Sequence, residues 1–167
     1  MRVIRFEIQV DELDNVIREI ELKPSHTFRN LSEAILSAFG INASRGASFF
    51  TSNNKWQKLN EITLGRDSKF EKPINGLKTT IEKALKNTNR FVYFSEDVPQ
   101  FTFLMAAQER ESKAAPKKFP RVVKSSGKLP KDAPKKFIDN IFADDFNRQT
   151  GEGLDESDRE LLNPEPT

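Results

Sequence analysis

The stretch that decides the fold is MRVIRFEIQV, residues 1–10. Its apolar residues at positions 4, 6, 8 and 10 alternate with polar residues at 5, 7 and 9, a period of two that turns one face of a strand inward. Residues 16–23 resume the alternation after a turn at 11–15. The two runs therefore predict an antiparallel β-hairpin.

A helix is predicted directly after this hairpin. Thr27 can serve as its N-cap, and Gly40 stands where a C-terminal cap belongs. The apolar residues between them recur at helical spacing: Phe28, Leu31, Ile35, Ala38 and Phe39. Such a pattern indicates an amphipathic helix that packs against the sheet.

The later elements follow from the same periodicities. They are strands at 47–52, 61–64, 91–95 and 101–107, a loop at 65–76, and a second helix carried by Leu77, Ile81, Ala84 and Leu85. The sum is ββαββαββ, which predicts an α+β fold: a single mixed or antiparallel sheet with helices on one face. We expect Leu31, Ile35, Phe39, Ile81 and Leu85 to be buried against Ile4, Phe6, Ile8 and Phe101.

Length and charge divide the chain into a domain and an extension. With 167 residues and 36% apolar residues, one core is expected. We predict an α+β domain at 1–130 and, at 131–167, an irregular charged extension with a short helix and an acidic mobile tail. Residues 113–136 have a local charge of +8, and residues 139–167 have −7. Opposite blocks this close in sequence are expected to shield one another.

Several classes of chemistry have no residues to support them. The chain has no cysteine and a single histidine, and its seven glycines form no phosphate-binding loop. No cofactor or metal site is therefore expected, and a binding or adaptor protein is favoured over an enzyme. No apolar run is long enough to span a membrane, so a cytoplasmic location without membrane contact is predicted.

The basic block supplies the first set of candidate contact residues. They are Lys117, Lys118, Arg121, Lys124, Lys128, Lys135 and Lys136. The block contains A-P-K-K-F twice, at 115–119 and 133–137, but one copy precedes a strand-like run and the other a helix-like run. We therefore interpret the repeat as chance recurrence in a segment rich in Ala, Pro and Lys. An unknown protein partner is the leading interpretation, and nucleic acid is the alternative.

Three aromatic residues form the second set of candidates: Phe49, Phe50 and Trp56. Adjacent residues of a strand point to opposite faces, so one of the two phenylalanines must lie off the main core. The phenylalanine that lies off the main core can form an interface or shallow groove with Trp56. Alternatively, it can belong to a secondary core beneath the tail. The sequence leaves both alternatives open.

Five segments together resemble the plasmid pRiA4b ORF-3-like family, whose members are also labelled TnpR family passenger proteins of an insertion element. The segments are VIREI (16–20), LSEAILSAFGI (31–41), ASFFTSNNKW (47–56), FVYFSEDV (91–98) and FPRVVKSSGKLP (119–130). In the second strand, Arg18 stands for the family's arginine-tryptophan pair. The family's later polar hairpin is replaced by Tyr93-Phe94-Ser95-Glu96-Asp97 without histidine. The resemblance thus implies a fold and a bacterial, mobile-element context, but no defined reaction.

Overall fold

The computed structural model describes residues 1–41, 46–65, 68–95 and 101–130. All of them belong to one compact unit, Met1–Asp132. The predicted extension at 131–167 lies outside the described residues. The strands are β1 Arg2–Val10, β2 Leu13–Leu22, β3 Ala47–Thr51, β4 Asn60–Thr63, β5 Ile74–Asn75, β6 Arg90–Ser95, β7 Thr102–Glu111 and β8 Arg121–Ser126; the helices are α1 Phe28–Phe39 and α2 Ile81–Ala84.

The described strands form one eight-stranded sheet, in the order β5-β4-β3-β6-β7-β1-β2-β8. The predicted hairpin of β1 and β2 is confirmed, with Phe6 opposite Ile20. β7 returns to pair with β1, and β8 pairs with β2 at the edge. Among the described strands, the pair of β4 and β5 is parallel, and the other six pairs are antiparallel.

The predicted α+β class with helices on one face is wrong, because the fold is dominated by the sheet. The described helices have only 12 and 4 residues. The second helix is shorter than predicted because the Asn75 side chain accepts a hydrogen bond from the Leu77 backbone N–H and holds a turn there. The helix begins only after Thr80, whose hydroxyl caps it by accepting from the Lys83 N–H. The predicted loop at 65–76 contributes β5 instead.

The core lies between α1 and one face of the sheet. Side chains of β1 at alternate positions are buried, as the period of two predicts: Ile4, Phe6, Ile8 and Val10. Two aromatic contacts join α1 to the sheet. Phe28 lies 5.2 Å from Phe49, and Phe39 lies 4.7 Å from Phe103, measured between ring centroids. Pairs of this kind each contribute about 0.5–1.5 kcal/mol beyond the apolar area they bury.

The ends of α1 match the sequence pattern. The Asn30 side chain accepts a hydrogen bond of 2.9 Å from the Thr27 backbone N–H, which fixes the first turn. Gly40 ends the helix in the left-handed region at φ +69°, a conformation that suits glycine. Of the remaining predicted core residues, Ile81 is buried, but Leu85 is only half-buried because it lies at the end of α2.

Arg18 of β2 is a charged residue that lies on the core face of the sheet, where it is 6% exposed. Its guanidinium lies 4.9 Å from the centre of the Phe39 ring. The guanidinium donates to the carbonyls of Ala38, Ile17 and Ser126 at 2.8–3.1 Å. Burial lowers the pKa of Arg18 from its ordinary value. One side chain thus ties β2 to the end of α1 and to β8.

Candidate functional site

The two adjacent phenylalanines of β3 point to opposite faces of the sheet. Phe49 is fully buried in the main core, so it offers no surface to a partner and is removed from the candidate interface. Phe50 is half-buried on the other face, 6.0 Å from the Phe70 ring. The Lys58 ammonium lies 5.1 Å above the Phe50 ring and 5.0 Å above that of Phe94. Phe50 therefore belongs to a small second cluster.

Trp56 is held in a strained turn between β3 and β4. Its backbone φ is +59°, which is rare for a bulky residue and costs of the order of 1–3 kcal/mol. The Asn53 side chain maintains the turn by accepting from the backbone N–H groups of Lys55 and Gln57. In this conformation the Trp56 ring lies 4.8 Å from the guanidinium carbon of Arg90. The strain thus positions an indole ring against an arginine.

Beside this pair lies an open cleft of about 480 Å³, which we call the asparagine cleft. Its walls are the end of β3 with the following turn, the start of β4, and the segment 87–90 that leads into β6. The Thr88 hydroxyl joins two of these walls by donating to the Ser52 carbonyl at 2.9 Å. Five asparagines line the cleft: Asn53, Asn54, Asn60, Asn87 and Asn89.

Arg90 is the single charged residue among the residues that line the asparagine cleft. Within the described ranges, it is also the one arginine whose guanidinium forms neither an ion pair nor a hydrogen bond. The other described arginines are engaged: Arg2, Arg5, Arg29 and Arg121 with carboxylates, Arg18 with carbonyls and Arg110 with an amide. The hydrogen-bond donors of Arg90 therefore remain available to a ligand.

The asparagines differ in how much of their amide is already used. Asn53 maintains its turn, and Asn60 donates to the Lys72 carbonyl at 3.0 Å. The side chains of Asn54, Asn87 and Asn89 are exposed and form no hydrogen bond with any described residue. Sequence reasoning missed this group. The signal was present in the asparagine pair at 53–54 and in NTNR at 87–90, two turn segments that the sheet brings together.

The structure describes some of the candidate lysines of the basic block, residues 113–136, and leaves others outside the described residues. Lys117 and Lys118 lie exposed in a single 3₁₀ turn, Pro116–Lys118, and Lys124 and Lys128 are exposed on and after β8. We call these four lysines the basic edge. None of them forms an ion pair or side-chain hydrogen bond among the described residues. Lys135 and Lys136 lie outside the described residues.

Arg121 is already engaged by a buried carboxylate, although its side chain remains 40% exposed. Glu21 is 1% exposed, and one of its oxygens accepts from Arg121 while the other accepts from Arg5 at 2.7 and 3.0 Å. Burial alone would raise the pKa of Glu21, but the hydrogen bonds and charges of the two arginines outweigh burial and hold its pKa below the ordinary value. Arg121 therefore attaches β8 to β2, and its role as a contact residue stays a prediction.

The edge strand itself is protected against pairing with another strand. The register between β2 and β8 shifts at Glu19/Ile20, so Val123 forms a bulge. Pro120 precedes the strand, and Lys124 lies within it. Bulges, prolines and lysines are the features by which sheet edges avoid adding a further strand. A partner at this edge would therefore contact side chains rather than extend the sheet.

The single histidine of the chain and the carboxylates of the described residues form no metal site. The His26 Nδ1 accepts a hydrogen bond from the Lys23 backbone N–H at 3.0 Å, and burial, followed by the charge of Lys23, lowers the pKa of His26. In the part of the chain that the structure describes, no three His, Cys, Asp or Glu side chains are grouped closely enough to hold a metal ion. No described helix is long and apolar enough to cross a membrane.

Comparison with known proteins finds a similar fold and gives no information about a reaction or a ligand. No family model matches the chain, and no curated protein matches it. A solved structure similar to it is the crystal structure of a protein of unknown function, MM3350, from Methanosarcina mazei Go1, with 14% identity and a TM-score of 0.64. The match covers 92% of this chain and 86% of that one. The similarity is one of fold. The resemblance to the pRiA4b ORF-3-like family, with its mobile-element context, stays a prediction.

Proposed function

We propose that the chain is a cytoplasmic, non-enzymatic binding protein that holds an acidic segment of a partner protein at the basic edge. The observation that carries this proposal is a charge distribution. Every charged residue from Ser112 to Pro130 is a lysine or arginine. The four lysines of the basic edge are exposed and unpaired, whereas Arg121 is paired with Glu21. Free cations in a segment without carboxylates favour an acidic partner.

Two placements favour a protein partner over nucleic acid. Phe119, the aromatic residue beside the lysine pair, is buried and lies against Arg121, so it cannot stack on a base. Two nitrogens of the Arg121 guanidinium already donate to Glu21, which leaves this guanidinium, the one in the segment 112–130, fewer donors for a phosphate. The remaining contacts are lysine ammonium groups, which act as point charges toward carboxylates.

Nucleic acid is the second candidate, and its support is the same run of cations. If all four lysines of the basic edge contacted phosphates of a duplex, the logarithm of affinity should fall with the logarithm of salt concentration with a slope of roughly −3.6, about −0.9 per contact. A measured slope near zero would exclude this mode. An acidic protein partner and nucleic acid can also be distinguished by which of two polyanions, an acidic peptide or a DNA duplex, the protein binds more tightly.

The test measures binding of the full-length protein at low salt to two probes, a poly-glutamate peptide and a short DNA duplex of random sequence. The test variant replaces Lys117, Lys118, Lys124 and Lys128 with Glu. The matched control replaces four other exposed lysines with Glu: Lys69, Lys72, Lys78 and Lys86. Since exposed charge pairs each contribute up to about 1 kcal/mol, the test variant should lose about tenfold or more in peptide affinity. The control should lose clearly less.

Each outcome decides between the candidates. Tighter binding of the peptide than of the duplex, lost in the test variant alone, supports an acidic protein partner. Tighter binding of the duplex with a steep salt slope replaces that proposal with nucleic-acid binding. Equal loss in both variants means that general net charge, not the basic edge, is responsible, and failure to bind either probe rejects both functions.

A further inference from the structure

The asparagine cleft is a second place where this fold can bind a ligand, separate from the basic edge. In the strand order, β7 and β1 separate β3 and β6, which border the cleft, from β2 and β8 at the sheet edge. A volume of about 480 Å³ lies within the range of about 300–1,000 Å³ found for sites of small molecules. The cleft can therefore accommodate more than an inorganic ion.

The charge of the cleft is defined by one residue. Neither aspartate nor glutamate lines it, and the guanidinium of Arg90 contacts the Trp56 ring but forms no ion pair or hydrogen bond with a described residue. An arginine whose fork-shaped donors are free matches a carboxylate or a phosphate, because both groups accept two parallel N–H hydrogen bonds. The electrostatics of the cleft thus favour an anion over a cation.

The position of this arginine is set in advance. The Trp56 ring lies 4.8 Å from the guanidinium carbon, and the strained backbone of Trp56 at φ +59° holds the ring there. Strain of this kind at a surface turn persists only where surrounding contacts maintain it, and it is concentrated at binding sites. An arginine that is already ordered loses less conformational entropy when a ligand binds.

The amides of the cleft indicate what the rest of the ligand is like. Asn54, Asn87 and Asn89 each offer two N–H donors and one carbonyl acceptor that the fold does not use. Because these amides both donate and accept hydrogen bonds, they suit a ligand whose remaining part carries hydroxyl or amide groups, as in a sugar or a short peptide.

We propose that the asparagine cleft binds a small polar ligand that carries a phosphate or carboxylate group, with Arg90 as the contact to the anion and the free asparagine amides as contacts to the polar body. The shared chemistry is that of an oxyanion on a hydroxylated or amide-bearing body. Trp56 is the positioning residue for Arg90. This proposal does not depend on the function of the basic edge.

The experiment uses the single tryptophan of the chain as a local reporter. Because Trp56 contacts Arg90, a ligand that engages the guanidinium should change tryptophan fluorescence in the full-length protein. The probes are a hexose phosphate, the same hexose without phosphate, inorganic phosphate and succinate, with calorimetry as an independent measurement. The hexose phosphate arm represents a phosphate source and the succinate arm a carboxylate source.

We expect saturable binding of the hexose phosphate or of succinate with a Kd of about 1 mM or tighter, and at least tenfold weaker binding of the uncharged hexose. Replacing Arg90 with Gln should weaken binding about tenfold or more. The matched control is Arg110→Gln, since Arg110 contacts only Gln108 by hydrogen bond among the described residues. A second variant, Asn87→Asp with Asn89→Asp, keeps the side-chain shape, adds repelling charge and should abolish binding. Asn15→Asp, which adds one charge at an exposed site on another part of the sheet, shows how much a general change of charge contributes.

Three results would overturn the proposal. The first is no saturable response to any probe at about 10 mM, a concentration well above the weakest expected Kd. The second is binding of the hexose as tight as that of the hexose phosphate, which removes the role of the anion. The third is binding that Arg90→Gln and the double aspartate variant leave unchanged, which places the ligand elsewhere.

Discussion

Glu21 on β2 and Arg121 on β8 are 100 residues apart in the chain, and two hydrogen bonds of 3.0 and 3.1 Å join their side chains. The second oxygen of the same carboxylate is bound by Arg5 on β1. One buried carboxylate therefore links three neighbouring strands. It also explains why a basic segment at the sheet edge remains attached to the fold.

Replacing Glu21 with Gln should destabilise the protein by about 1–3 kcal/mol, because two charge-assisted contacts are lost. The loss stays below that of a fully buried ion pair, since the side chains of Arg5 and Arg121 are 33% and 40% exposed. Urea denaturation followed by circular dichroism measures the change. Glu33→Gln is the control, because Glu33 forms only an exposed pair with Arg29. Equal effects of both substitutions would contradict the prediction.

The same carboxylate should make stability depend on pH in the acidic range. The folded pKa of Glu21 is lower than the ordinary value of 4.5, so the unfolded chain takes up the proton at a higher pH than the folded chain does. The stabilisation is therefore complete above pH 4.5 and is lost as the pH falls through the folded pKa. The gap in unfolding free energy between the protein and Glu21→Gln should shrink below this pH in urea titrations. A constant gap would contradict the prediction.

The sequence predicts local elements well and distant pairings poorly. The period of two in β1 and the capped pattern of α1 each depend on residues within one segment, and both are confirmed. β8 is attached to β2 through contacts with Glu21 and Arg18, and residues 121–126 alone do not show which strand they pair with. The second helix was overestimated because periodicity does not register the turn that Asn75 imposes on Leu77.

In the candidate site too, local features could be predicted from the sequence and contacts between distant residues could not. The alternation rule placed Phe49 and Phe50 on opposite faces, and the structure agrees with it. Arg90 was missed because its significance lies in lacking a carboxylate partner, a property that only the folded arrangement reveals. Trp56 was identified as an aromatic residue, but its contact with Arg90 depends on a left-handed turn that bulky residues rarely adopt.

Two glycines with similar φ angles should respond differently to replacement by alanine. Gly40 and Gly127 have φ of +69° and +73°. A Cβ at Gly40 meets nothing within 4 Å, so Gly40→Ala should cost only the conformational penalty of about 1–2 kcal/mol. A Cβ at Gly127 would lie 2.2 Å from the Asn15 carbonyl oxygen, and Gly127→Ala should cost about 1–3 kcal/mol more. Urea midpoints measure both; similar midpoints would mean that β8 can move away without loss.

Arg18 should not be replaceable by lysine. Its guanidinium donates to carbonyls of β2, α1 and β8 at once, and a single ammonium group cannot reach all of these acceptors in the same geometry. We expect Arg18→Lys to lower the unfolding free energy by about 1–3 kcal/mol. The control Arg29→Lys changes an exposed arginine and should have little effect. An equally small effect at Arg18 would show that its contacts contribute little to stability.

The acidic residues near the end of the chain should compete with a partner for the basic edge. Residues 139–167 have a local charge of −7, and their covalent link to the basic segment gives them a high effective concentration. Changing Asp144, Asp145, Asp155 and Asp158 to Asn and Glu156 to Gln should strengthen poly-glutamate binding about tenfold at low salt, because several weak pairs add together. The gain should disappear at high salt, where the Debye length falls to about 3 Å at 1 M. It should also disappear in the variant whose four basic-edge lysines are glutamates. Unchanged affinity at low salt would mean that the acidic block shields nothing and that the basic edge is permanently open to a partner.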